Sequence, residues 1–89
     1  MTRWRVADGI AWVAAEPERV ALIDTRDPLA QPMIVPTPFA ELWQAVADEP
    51  RSETELLALA TDLVEDEGEV LRDEFVRSIS AVGLIEVAA

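Results

Sequence analysis

At Pro36-Thr37-Pro38 the chain changes its hydrophobic rhythm, and that change limits what it can fold into. Before it stand short apolar runs rich in β-formers and broken by prolines; after it, apolar residues recur at helical spacing. Ile10 to Ala14 and Val20 to Asp24 are separated by Ala15-Glu16-Pro17-Glu18-Arg19, where Pro17 and the charges break the pattern. An antiparallel hairpin is expected. A second break, Thr25 to Pro32, precedes Met33-Ile34-Val35, a short run between prolines. Proline cannot donate a ladder hydrogen bond, so this third strand is expected at a sheet edge. Trp4 to Val6 is a further strand candidate.

Beyond the switch, Thr37 is placed to cap a helix and Pro38 to occupy its first position, where a missing N–H costs nothing. Phe39, Leu42, Trp43 and Val46 then follow at i, i+3, i+4 and i+7, and Pro50 stops the helix near Asp48. Ser52-Glu53-Thr54-Glu55 reads as a capping box that opens a second helix, with Leu56, Leu59, Ala60 and Leu63 inward. Gly68 interrupts the acidic run Glu65 to Glu69, and a third helix presents Leu71, Phe75, Ile79 and Val82 on one face. Gly83 is expected to end it in the left-handed conformation. Leu84 to Val87 alternates and should fold back on the core. With no repeat and no flexible linker, residues 1–89 read as one domain. The expected class is α+β: a three-stranded antiparallel sheet followed by three helices, in a winged helix-turn-helix-like arrangement.

A domain of this size buries roughly 60 to 65% of its unfolded surface, so every large apolar residue counts. Hydrophobic residues make up 51% of the chain and three are Trp, which sets it apart from disordered acidic proteins despite a net charge of -11. Residues 1–40 carry five acids against four arginines, whereas residues 41–89 carry thirteen against three. The helical half is the acidic half, and it looks like a surface for a basic partner.

The missing residue types exclude whole function classes. Without Cys or His there is no soft metal site, no thiol nucleophile and no imidazole base; without Lys there is no Schiff base or P-loop lysine. Tyr is absent as well. No cofactor is expected, and the chain is not expected to be an enzyme. The acidic runs lack the spacing of a calcium loop. An acyl carrier would need its Ser in an Asp-Ser-Leu setting, which Ser52, Ser78 and Ser80 do not have. A winged fold usually evokes DNA, but the region from Glu69 to Val82 holds three acids against two arginines, so nucleic acid is a poor partner. The N-terminus resembles neither a signal peptide nor a membrane span, and a cytoplasmic protein is the default expectation.

From Gly9 to Glu86 the chain resembles the PqqD-like peptide-recognition domains of ribosomal-peptide biosynthesis, also called RiPP recognition elements. The resemblance rests on Val20-Ala21-Leu22-Ile23-Asp24, on Met33-Ile34-Val35 opening a helix with Leu42-Trp43, and on Phe75-Val76 and Ile79 before Gly83-Leu84-Ile85. The chain departs from the family where Pro36-Thr37-Pro38 replaces the usual Asn-Pro-Thr, and where the loop after Asp24 is longer and richer in proline.

The resemblance implies a non-catalytic module that captures the leader of a precursor peptide and presents the remainder to modifying enzymes. The free-standing lasso-peptide type, working with a leader peptidase and a cyclase, is favoured because such leaders combine basic residues with apolar anchors. A PqqD-type chaperone of another modified-peptide pathway and a winged-helix regulatory or DNA-binding module are the alternatives. The leader would lie antiparallel to Met33, Ile34 and Val35, beside Val70, Leu71, Glu74, Phe75 and Ser78 of the third helix. Phe75→Ala is then expected to weaken binding, and Trp43→Ala chiefly to destabilise the fold. Against this stands a plainer expectation for Leu71, Phe75 and Ile79, which is ordinary core packing, and for the acids, which is a solvated face.

Overall fold

The hairpin forms as its sequence predicts. In the computed structural model, which describes residues 2–15 and 18–88, β2 (Ile10–Ala15) pairs antiparallel with β3 (Arg19–Asp24), from Ile10 opposite Asp24 to Ala15 opposite Arg19. The expected break from Ala15 to Arg19 falls partly on residues 16 and 17, which lie outside the described residues. β4 (Met33–Pro36) adds to the other side of β3, giving a sheet of order β2-β3-β4.

The expected order of three strands and then three helices is only partly realised, because strands are interleaved with the helices. β1 (Arg3–Val6) lies between β5 (Arg51–Ser52), which precedes the second helix, and β6 (Ile85–Val87), which follows the third. The physical reason is hydrogen-bond accounting: β1 has no neighbour nearby in sequence, and its backbone groups find partners far along the chain. The class is α+β, with two three-stranded antiparallel sheets sharing one core.

Helix α1 (Phe39–Asp48) sits at the centre, touching β1, β3 and β4 as well as the two later helices. Its apolar stripe buries Leu42, Trp43 and Val46, while Phe39 is half-buried. Thr37 does not cap it. Its hydroxyl donates instead to the Glu41 carboxylate, and Pro38 takes the cap position without a side-chain bond.

Helix α2 (Glu53–Val64) starts with the expected capping box. The Glu55 N–H donates to Ser52 Oγ at 3.1 Å, and the Ser52 N–H donates to Glu55 Oε1 at 3.0 Å. Leu56 and Ala60 are buried, whereas Leu63 stands exposed, contrary to its expected inward position. Ser52→Ala should cost about 1 kcal/mol by orphaning a first-turn amide. The Glu55 carboxyl is held below its ordinary value of 4.5, chiefly by the Ser52 backbone N–H and also by Arg3. A lowered folded-state pKa stabilises above the unfolded value, and the benefit is lost as pH falls through the folded one. Glu55→Gln is therefore expected to be less stable than the unsubstituted protein near neutrality, with the gap in urea denaturation closing below pH 4.5.

The break between α2 and α3 (Gly68–Ala81) lies upstream of the position expected from Gly68. Glu65 turns the chain at φ 53°, a 3-10 turn follows over Glu65–Glu67, and Gly68 is the first residue of α3 in ordinary helical conformation. Leu71, Phe75 and Ile79 face the core, but Val82 at the C-cap is exposed. Gly83 ends the helix at φ +76°. Its N–H donates to the Ser80 carbonyl at 3.0 Å, and the Leu84 N–H donates to the Ile79 carbonyl at 3.1 Å. This is a Schellman motif, with buried Leu84 and Ile79 supplying its apolar contact. Arg26 fixes the same corner, donating to both Asp24 carboxylate oxygens at 2.9 and 3.0 Å and to the Gly83 carbonyl at 3.0 Å. That side-chain pairing lowers the Asp24 pKa and raises that of Arg26.

Candidate functional site

Strand β4 pairs with β3 alone among the described residues, so one row of its backbone groups faces outward. The cause is local: Pro32 precedes the strand and Pro36 closes it, which keeps it short and peripheral. Such an edge can accept another strand. Val35 lies opposite Val20 and Met33 opposite Leu22, so these two share the face that carries the core. Ile34 lies opposite Ala21 on the other face. Val35 is buried, while Met33 and Ile34 are 42% and 53% exposed.

On α3, Val70, Glu74 and Ser78 recur at i, i+4 and i+8 along one stripe beside the buried stripe of Leu71, Phe75 and Ile79. Val70 is 61% exposed and Ser78 half-buried. Glu74 is exposed but not idle, because Arg77 donates to it, and that bond raises the Arg77 pKa. A basic group arriving at Glu74 would have to compete with Arg77.

The eight expected peptide contacts therefore divide into two sets. Val35, Leu71 and Phe75 join one core cluster, while Met33, Ile34, Val70, Glu74 and Ser78 lie nearer the surface on two elements. The elements are tied through Phe39, three residues beyond β4, whose ring meets Phe75 edge-on at 5.6 Å and 84°. Otherwise α3 packs chiefly on α2. Phe75 is fully buried, as Trp43 is, so truncating either residue removes core. The expected contrast between their alanine variants, one on binding and one on folding, does not fit this burial.

One feature escaped the sequence reading. An open apolar hollow of about 310 Å³ lies on the β2–β3–β4 sheet, lined by Ala11, Trp12 and Val13, by Ala21, Leu22 and Ile23, and by Pro32. Ala11 and Val13 lie opposite Ile23 and Ala21, on the face turned away from buried Val20 and Leu22. The available signal was missing alternation. A sheet with one wet face should alternate apolar and polar residues, but β2 contains no polar residue on either parity and β3 carries them only at its two ends, Arg19 and Asp24.

Among the described residues no group of acids is placed to hold a metal ion, and no helix is long and apolar enough to cross a membrane. Compared with protein-family models, curated proteins and solved structures, the chain matches none.

Proposed function

We propose that this protein is a non-catalytic leader-peptide-binding module of ribosomal-peptide biosynthesis, similar to the winged helix-turn-helix-like PqqD-type recognition elements. The favoured setting is a lasso-peptide pathway in the cytoplasm. The leader of a precursor peptide adds as a strand to β4, and the remainder is presented to a leader peptidase and a cyclase that carry the chemistry. The observation that supports this most is the proline-bounded edge strand leading directly into α1 and linked to α3 by Phe39 and Phe75. Backbone pairing would supply affinity, and the side chains of Met33, Val70, Glu74 and Ser78 would supply sequence choice. Leu71, Phe75 and Val35 support that surface from beneath rather than presenting it.

The test is titration of the purified protein with a synthetic leader encoded beside its own gene, followed by calorimetry or tryptophan fluorescence. Saturable binding near 1 μM is expected, about 8 kcal/mol, and no saturation at roughly 100 μM protein would reject the reading. Val70→Glu, at an exposed position, should weaken binding by about tenfold while leaving the thermal melt unchanged. If carboxylates of the helical half meet basic leader residues, affinity falls as salt rises. A flat salt response would assign those acids to solubility alone.

A further inference from the structure

We infer that β2, the other edge of the hairpin sheet, is a second strand-acceptor site, and that its occupant is an extended apolar segment of a partner protein flanked by Lys or Arg. This goes beyond leader addition, which uses β4 and α3.

The outer side of the β2 backbone is open. Among the described residues β2 pairs with β3 alone, and the register runs without a bulge from Ile10 opposite Asp24 to Ala15 opposite Arg19. An antiparallel ladder alternates hydrogen-bonded and non-bonded pairs, and the Thr25 N–H, donating to the Gly9 carbonyl at 2.8 Å, fixes the phase. Ala11, Val13 and Ala15 therefore bond to β3, while Ile10, Trp12 and Ala14 turn their backbone groups outward. The Ile10 N–H is taken by the Ala7 carbonyl at 3.4 Å, consistent with that phase. What remains is the N–H and C=O of Trp12 and of Ala14, with the Ile10 carbonyl beside them. By the same alternation Ile34 faces outward from β4, but the next outward position there is Pro36, which has no N–H to give. The fuller edge is β2.

Nothing in β2 blunts that edge. Native sheets close open edges with proline, charge or a bulge, and the six residues of β2 contain none of these. Both faces beside it are apolar. Trp12, 39% exposed, rests edge-on against Trp43 on one face, and the hollow of about 310 Å³ adjoins Ala11 and Val13 on the other. Side chains of either parity on an added strand meet apolar neighbours, so the segment that fits is itself apolar.

Charge selects the source of that segment. The sequence brackets β2 with Asp8 before it and Glu16 and Glu18 after it, and no base stands between Arg5 and Arg19. Asp8 meets Arg5 at 3.5 Å yet keeps its side chain 89% exposed, and Arg19 lies one strand in from the edge. A second copy laid antiparallel along β2 would bring its own acids against these, in a chain of net charge -11. A segment with Lys or Arg at each end meets them with the opposite sign. At about 3.3 Å per residue β2 is about 20 Å long, so the basic ends stand slightly farther apart than that.

Hydrogen exchange read by NMR on the intact protein tests this, with the blocked peptide Arg-Val-Thr-Val-Thr-Val-Thr-Val-Arg as probe. In the protein alone the Trp12 and Ala14 amides should exchange rapidly while those of Ala11 and Val13 are protected. Saturating peptide should slow the two outward amides by about tenfold or more, with a dissociation constant on the order of 100 μM that rises with salt. Ala14→Pro, at an exposed position, deletes an outward N–H without touching a β3 bond. It should weaken the peptide by about tenfold or more and keep the thermal melt. Ile34→Pro alters the β4 edge instead, so it should spare the peptide at β2 and weaken leader binding, which separates the two readings. No saturation by about 2 mM peptide, an Ala14→Pro protein that binds unchanged, or equal binding of the same peptide with Glu at both ends would overturn the inference. Protection of Trp12 and Ala14 that grows with protein concentration alone would give the edge to a second copy and overturn it equally.

Discussion

Phe75→Ala is expected to lower the unfolding free energy by about 3–5 kcal/mol, and Trp43→Ala by a similar amount. Both rings are fully buried, and they anchor different parts of the molecule. Phe75 meets Phe39 edge-on, while Trp43 meets Trp12 at 6.4 Å and 79°. A small domain has only about 5–15 kcal/mol in total, so either variant should be largely unfolded under mild denaturant. Urea denaturation followed by far-UV circular dichroism would read the loss. A Phe75→Ala protein with an unchanged midpoint would contradict the burial of that ring. Trp43→Phe separates volume from polarity. The Trp43 indole N–H is buried with no hydrogen-bond partner among the described residues, so phenylalanine keeps most of the ring while removing a buried donor. It should cost far less than alanine.

Gly68→Ala carries a second large expected effect, and two terms oppose each other there. The residue is helical, at φ -58°, so alanine gains about 1 kcal/mol in intrinsic propensity. Its methyl would, however, meet Thr61 Oγ1 at 2.5 Å and the Thr61 backbone N and Cα at 2.9 Å. A side-chain oxygen can rotate away, but the backbone of α2 cannot move without repacking the helix pair. Overpacking of this kind costs about 1–3 kcal/mol, so a net loss is expected. The double variant Gly68→Ala with Thr61→Ala should recover little, because two of the three close atoms are backbone. Full recovery would show that only the hydroxyl was in the way.

What the sequence revealed was mostly local. The β2–β3 hairpin, the capping box at Ser52 and Glu55, and the glycine at the end of α3 each carry their signal within a few residues, and each forms as expected. The edge position of β4 followed from its flanking prolines. The second sheet was not legible, because β5 is only Arg51 and Ser52, and its partner Arg3 lies half a chain away. Thr37 was misassigned because Glu41, one turn on, competes successfully for its hydroxyl. Among the expected contact residues, a periodic pattern marked Leu71 and Phe75 as inward-facing without showing how completely the core would enclose them. The outer face of the hairpin sheet was written in its strands as absent alternation, and short runs such as Ile10 to Ala15 hide that when read one strand at a time.

The place of β1 between β5 and β6 has a consequence for synthesis. On the ribosome, β1 emerges well before its last partner, Ile85 to Val87, which lies far downstream. The β2–β3–β4 meander can form early from neighbouring residues, but β1 must wait with its β6 edge open even after β5 has emerged. Pairings of such long sequence separation are the slow part of folding. A nascent chain halted before residue 85 should therefore hold a protected meander and an N-terminal strand still open to proteolysis.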